Sequence, residues 1–201
     1  MKATTLSVTL AALLLATVTA RAADDSAALD LIRRQCSTCH GMQGIGVSPT
    51  FPTLAAQTPQ YLEAQLKAFR DRSRADPHAQ AFMWGMAAQL TDRTIHEIAE
   101  YFAKQPAPHG ESAGSEETAA GKKIFDEGIE KQDVPACMTC HGEGAQGNEA
   151  FPRLAGQRRS YLERQLEAFS TELRANEIMH ENSKKLTARQ ISDVAAYLSS
   201  L

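Results

Sequence analysis

The chain has 201 residues, of which 43% are hydrophobic, 22% charged and 6% aromatic, with 12 glycines and 8 prolines. That composition suits one large globular domain or two small ones and excludes collagen-like, coiled-coil and disordered classes. A formal net charge of −3 offers no basic field to neutralise a phosphate backbone, so nucleic acid is not an expected partner.

Residues 1–22 read as a secretory signal peptide. Met1-Lys2 gives a short positive start, Leu6 to Val18 is an apolar run, and Ala20-Arg21-Ala22 is an A-x-A cleavage signal with Asp24-Asp25 just beyond it. A membrane anchor is the alternative, but the run falls short of the roughly 20 residues that span a bilayer. Cleavage leaves a mature chain that starts at about Ala23 outside the cytoplasm. Nothing later in the chain resembles a spanning segment.

A short helix over 25–35 feeds Cys36-Ser37-Thr38-Cys39-His40, and the same pattern returns as Cys137-Met138-Thr139-Cys140-His141. C-x-x-C-H is the attachment motif of c-type haem. Its two thiols add across the haem vinyl groups, reaching from one helical turn, and the adjacent histidine is placed under the iron. A zinc site built from two C-x-x-C pairs would space them about 15–20 residues apart; here 97 residues intervene. A thioredoxin-like redox pair would need a preceding strand and βαβ context, which is missing. Disulfides would leave the histidine after each pair unexplained. The reading is two covalently bound haem c groups, held by Cys36, Cys39, Cys137 and Cys140, with iron on His40 and His141.

The motifs belong to a duplication. Phe51-Pro52-Thr53-Leu54-Ala55-Ala56-Gln57 reappears as Phe151-Pro152-Arg153-Leu154-Ala155-Gly156-Gln157, and the Tyr61 to Phe69 segment reappears as Tyr161 to Phe169. Helical spacing of Tyr61, Leu62, Gln65, Leu66 and Phe69 predicts a helix over 60–69. Thr91 caps a final helix with Ile95, Ile98, Ala99 and Phe102 on one face. Residues 105–118, rich in Pro, Gly and Ser and devoid of basic groups, read as a solvated linker, with a strap ordered over the domain interface as the alternative. A helix over 119–127 opens the second half, and Thr187 with Gln190 forms a capping box before Ile191, Val194, Ala195 and Leu198. No run has a period of two. The expected fold is therefore all-α, two tandem helical domains each wrapped around a haem: 23–106 and 119–201, joined by 107–118. Halves of this size are small for a single core, and a buried macrocycle supplies an apolar centre.

Each iron needs something on its other face. A methionine raises the reduction potential, a second histidine lowers it, and an open position admits ligand chemistry. Candidates are Met42, Met83, Met86, His78 and His96 in the first half, and Met138, Met179 and His180 in the second. Met42 is too close to His40, and Met138 lies between the cysteines. Met83 stands seven residues before Leu90 and Met179 seven before Leu186, whereas Met86, His78 and His96 have no like counterpart. The repeat selects Met83 and Met179, with packing methionines as the plain alternative and His180 as the rival in its half. Pro52 and Pro152 follow the histidines by 12 and 11 residues, so that their carbonyls are candidate acceptors for the other imidazole N–H. Tyr61, Tyr161, Gln57 and Gln157 are candidate partners of haem propionates, with plain packing and capping as the alternative, and Trp84 is a candidate for haem-pocket lining.

With two C-x-x-C-H motifs, paired Phe-Pro-x-Leu-Ala-x-Gln segments, and methionines before Leu-Thr-capped final helices, the mature chain resembles the dihaem class I cytochromes c of the cytochrome c4 family. The resemblance implies two cytochrome c-like helical domains with pseudo-twofold symmetry and His–Met ligation by His40 with Met83 and His141 with Met179. It also implies a periplasmic electron carrier rather than an enzyme, passing electrons from a respiratory donor toward a terminal oxidase. Its expected partners are redox proteins, with any membrane association made through them, and no small-molecule substrate. A cytochrome subunit of a periplasmic dehydrogenase shares the same motifs, and a dihaem peroxidase is the further alternative. One departure stands out. The first-helix pattern Gly-x-x-x-aromatic survives as Gly121 to Phe125, but no such glycine precedes Cys36, and Ala28 and Ile32 are expected to make that contact.

Overall fold

The computed structural model describes residues 27–201, so the signal-peptide reading of 1–22 lies outside the described residues. Helix α1 covers 27–40. It passes through a π-helical stretch, Ile32–Cys36, into the turn Ser37–His40, so the first half's C-x-x-C-H segment is the end of its opening helix. Then come α2 (Pro59–Arg70), α3 over 77–87 with a π-helical stretch at Ala79–Met83, and α4 (Asp92–Ala103). The second half repeats the order with α5 (Ser115–Glu127), α6 (Met138–His141), α7 (Arg159–Ser170), α8 (Glu177–Ser183) and α9 (Ala188–Ser199). Among the described residues, strand pairing is confined to two isolated bridges, Ile129 with Val134 and Asn148 with Phe151. The all-α, two-domain expectation is met. No helix among the described residues is long and apolar enough to cross a membrane.

The helices form where the chain's local chemistry places them. Pro59 sits in the first turn of α2, where a missing N–H costs nothing. The Thr91 hydroxyl accepts the Thr94 amide at the start of α4, and Thr187 with Gln190 forms the complete capping box of α9. The faces expected to be buried are buried: Ile95, Ile98, Ala99 and Phe102 on α4, and Ile191, Val194, Ala195 and Leu198 on α9.

Each half has its own core. Ile32, Leu62, Ile98, Ala99 and Phe102 cluster in the first, and Ile124, Phe125, Leu162, Val194, Ala195, Tyr197 and Leu198 in the second. In the second half α5 crosses α9 at Gly121, where an added Cβ would lie 2.0 Å from the Asp193 carbonyl oxygen. In the first half the corresponding contact is made by Ile32, with Ala28 also buried, as expected.

The linker differs from its sequence reading. Ser115–Thr118 already belong to α5, whose first turn carries Glu116 and Glu117 at the positive end of the helix dipole. The stretch before it is an ordered strap against the end of the second half. The Glu111 amide donates to Ser199 O at 2.6 Å, and the Gly156 position closes on Pro108. The strap is further tied down by Glu111 Oε1, 2.9 Å from Arg158 Nη1, while Arg158 Nη2 reaches Gly46 O of the first half at 2.6 Å.

Candidate functional site

The two C-x-x-C-H segments adopt the same geometry. Both end in a helical turn closed by a glycine at positive φ, Gly41 at 70° and Gly142 at 82°, which lets the chain reverse directly after the histidine. His40 and His141 are each 7% exposed. His40 Nδ1 donates to Pro52 O at 3.0 Å, and His141 Nδ1 donates to Pro152 O at 3.0 Å. A carbonyl only accepts, so the proton is on Nδ1 and the Nε2 lone pair is free. Burial pushes both histidines below their ordinary pKa, with the proline carbonyls opposing. Both rings are thus neutral, oriented and able to bind a metal through Nε2. The proline carbonyls do what the spacing predicted.

The four cysteines flank these rings and none is paired in a disulfide. Cys36 packs against the first core and Cys137 against the second. Before haem attachment, burial raises the Cys36 thiol above its ordinary pKa and raises Cys137 to about 11. Among the described residues, no three His, Cys, Asp or Glu side chains gather as a metal cluster.

Met83 lies half-buried on α3, packed with Phe69, Ala79 and Ala87. Its neighbour Phe82 meets Phe51 edge-on at 5.5 Å, and Phe51 meets His40 at 6.1 Å, so an aromatic wall runs from the Met83 helix to the histidine. Phe151 meets His141 at 6.4 Å in the second half. Met179, half-buried on α8, is held by the Asn176 side chain accepting its amide. The other candidates are engaged elsewhere or turned outward. His96 pairs with Glu63 at 2.7 Å on the surface, Met86 is 52% exposed, and Met138 packs into the second core. His180 donates Nδ1–H to Phe169 O at 2.9 Å. The residue in its place in the first half, Trp84, donates Nε1–H to Arg74 O at 2.8 Å. The Trp84 ring pegs onto the chain just after α2, and the His180 ring onto the last turn of α7.

The halves meet through reciprocal contacts. The Gln157 side chain accepts from Thr53 N and donates to Thr53 O, both at 2.8 Å; Gln57 accepts from Arg153 N at 2.7 Å and donates to Arg153 O at 2.9 Å. Behind this clasp, Arg74 reaches Gln65, Gln165 and Tyr161, and Arg174 reaches Gln165, Gln65 and Tyr61. Contacts in which i meets j and j meets i are those of a twofold interface. Gln57 and Gln157, candidates for propionate contacts or for packing and capping, hold the opposite half's backbone. Neither that role nor the burial of Arg74 and Arg174 was anticipated, although the repeated Arg74/Arg174 and Gln65/Gln165 pairs are visible in the aligned halves.

The arginine pair bears on what the site can hold. Arg74 and Arg174 are 8% and 6% exposed. Among the described residues, the carboxylate in reach of the pair is Asp76, 2.9 Å from Arg74 Nε. The position equivalent to Asp76 is Asn176. Burial opposes the charge of Arg74, but Tyr161, Tyr61 and Asp76 outweigh it and keep the guanidinium ionised. Buried charges require partners, and this surplus positive charge suits a group that brings carboxylates of its own. Oriented histidines, paired thiols, an aromatic wall and surplus buried positive charge all fit haem.

Fold and site together define a two-centre helical c-type cytochrome. The cytochrome c family pattern matches residues 28–105 and again 118–201. Cytochrome c-552 of Acidithiobacillus ferridurans is 44% identical over 173 residues, covering 85% of this chain and 75% of that protein. The cytochrome c4 structure from Acidithiobacillus ferrooxidans superposes with a TM-score of 0.79 at 44% identity, covering 83% of this chain and 98% of that one. The thiosulfate dehydrogenase electron acceptor of Thiomonas intermedia is 35% identical over 173 residues, covering 81% of this chain and 76% of that protein. The chain belongs to the cytochrome c family, in its two-domain cytochrome c4 branch. It is a dihaem electron-transfer protein with two covalently bound haem c groups.

Proposed function

We propose that the protein is a periplasmic electron carrier that takes electrons from a respiratory donor and delivers them to a terminal oxidase. The observation that carries this reading is the duplicated histidine geometry: two buried, neutral imidazoles, each locked by a proline carbonyl with Nε2 free. Residues 23–106 and 119–201 would be the two haem domains, with 107–118 between them. Cys36 and Cys39, then Cys137 and Cys140, would form the thioethers. His40 with Met83, and His141 with Met179, would be the axial ligands. Bound haem supplies one-electron chemistry between Fe(III) and Fe(II).

The residues' own contribution is positioning and charge. Pro52 and Pro152 hold the imidazoles in the binding tautomer, and the methionine sulfurs of Met83 and Met179 would raise the potentials. Arg74 and Arg174, with Tyr61 and Tyr161, would balance the haem carboxylates. Were a histidine and a methionine of the protein to hold each iron, no position would be open to substrate, which favours a carrier over an enzyme. Each half is nearly neutral, with one more acidic than basic side chain, and the stretch between them carries Glu111, Glu116 and Glu117, consistent with small, transient docking interfaces. Localisation rests on the 1–22 signal sequence.

A redox titration with near-infrared spectra tests the ligands: two haems and two sulfur-to-iron bands are expected. Rapid carbon monoxide binding by the reduced protein with peroxide turnover would overturn the carrier reading. The likeness to a thiosulfate dehydrogenase electron acceptor supports a second reading, a cytochrome serving a periplasmic dehydrogenase. A stoichiometric dehydrogenase partner in native preparations would favour it.

A further inference from the structure

The glutamine clasp meets the haem sites at a particular atom. The Pro52 carbonyl that accepts from His40 Nδ1–H and the Thr53 amide that donates to Gln157 Oε1 are the two ends of one peptide group. The same is true of the Pro152–Arg153 peptide, which lies between His141 and Gln57. Each glutamine oxygen also accepts its own chain's next amide, from Thr58 or Arg158, both at 2.9 Å. Two backbone donors converge on each oxygen, so the orientation of the amide is settled by its partners. Gln57 and Gln157 are each 6% exposed, so water does not compete for these bonds.

We infer that Gln57 and Gln157 are positioning residues that tune the haem of the opposite half, each acting through the peptide group that holds that half's proximal histidine. Hydrogen bonds in series polarise one another in a low-dielectric interior. An acceptor on Thr53 N–H makes the Pro52 carbonyl more electron-rich, and a stronger carbonyl draws the proton of His40 Nδ1. The imidazole becomes a better electron donor, which favours Fe(III). Gln157, carried by the second half, therefore lowers the potential of the first haem, and Gln57 lowers that of the second. The inference rests on His40 and His141 being iron ligands, and it adds an electronic link between the halves to the contacts that hold them together.

The test uses the full holoprotein, with a redox titration followed by NMR so that the haems are resolved by half. Gln157→Leu removes the acceptor at nearly constant volume. It is expected to raise the first haem's potential, leave the second nearly in place, and move the His40 Nδ1–H resonance toward that of a weaker hydrogen bond. Gln57→Leu is expected to raise the second haem's potential, which keeps the test intact if the first variant folds poorly. A packing role alone would not produce shifts crossed between halves, nor move the His40 Nδ1–H resonance together with the first haem's potential. Equal shifts of both haems, or a shift confined to the half that carries the substitution, would overturn the inference. Wild-type protein lacking histidine–iron coordination in the same spectra would instead overturn the ligand reading, and with it this one.

Discussion

The competition between Met179 and His180 for the second iron is open to a two-variant test. Adjacent helical positions point about 100° apart, so one register presents one of them to the iron. His180 is held by its Nδ1–H bond to Phe169 O at 2.9 Å, the same task Trp84 performs on Arg74 O. His180→Ala should cost that one neutral hydrogen bond, about 1 kcal/mol net. In a domain of this size that is a fall of about 4–8 °C in melting temperature. Both sulfur-to-iron bands should remain. Met179→Ala should erase one of the two bands and lower the potential of that haem alone, because the thioether that raises it is gone. Its stability cost should fall below the roughly 2–5 kcal/mol of a fully buried Met→Ala change, since Met179 is only half-buried. Near-infrared absorbance and thermal denaturation of the holoprotein read both quantities. Loss of an axial ligand in His180→Ala, with Met179→Ala spectrally silent, would refute the assignment. A bis-histidine second haem of low potential would then favour a dehydrogenase or reductase subunit.

Other substitutions probe the interface and the core. Asp76→Ala removes the carboxylate from a buried pair at 2.9 Å and should cost on the order of 3 kcal/mol in denaturant unfolding. Asn176→Ala at the equivalent position should cost only a helix cap, about 1 kcal/mol. Gly121→Ala forces α5 and α9 apart, because the new Cβ meets Asp193 O at 2.0 Å. A loss of about 1–3 kcal/mol, confined to the second half's signals, is expected by calorimetry and NMR. Acid should weaken the fold through Asp92 and Glu117, which hydrogen bonds from Arg70 and Arg159 hold below the ordinary carboxylate pKa. Their contribution is complete above the unfolded carboxylate range near about pH 4 and is lost as pH falls through the lowered values. Urea midpoints measured from neutral pH down to about pH 3 should show that loss, and Glu117→Gln should reduce it.

What the sequence determined by itself was local or repeated. The C-x-x-C-H segments, α2, the capped helices α4 and α9, and the equivalence of Met83 with Met179 follow from spacing within one half or from comparing halves. The Pro52 and Pro152 carbonyls could be anticipated because a short loop returns them to a histidine only 12 or 11 residues away. Helices α3 and α8 escaped detection because each is short and exposes apolar residues such as Phe82 and Ile178, so neither shows a clean buried face. The start of α5 was set too late, since Ser115 to Thr118 carries no apolar periodicity. Tertiary structure alone decided the fate of Gln57, Gln157, Arg74 and Arg174. Their side chains are polar and belong on a solvated surface by any reading of one half. Hydrophobic periodicity records only the core that a segment shares with its own domain. These residues become buried when the second copy of the domain meets the first, and their partners stand about 90 to 115 positions away in the chain.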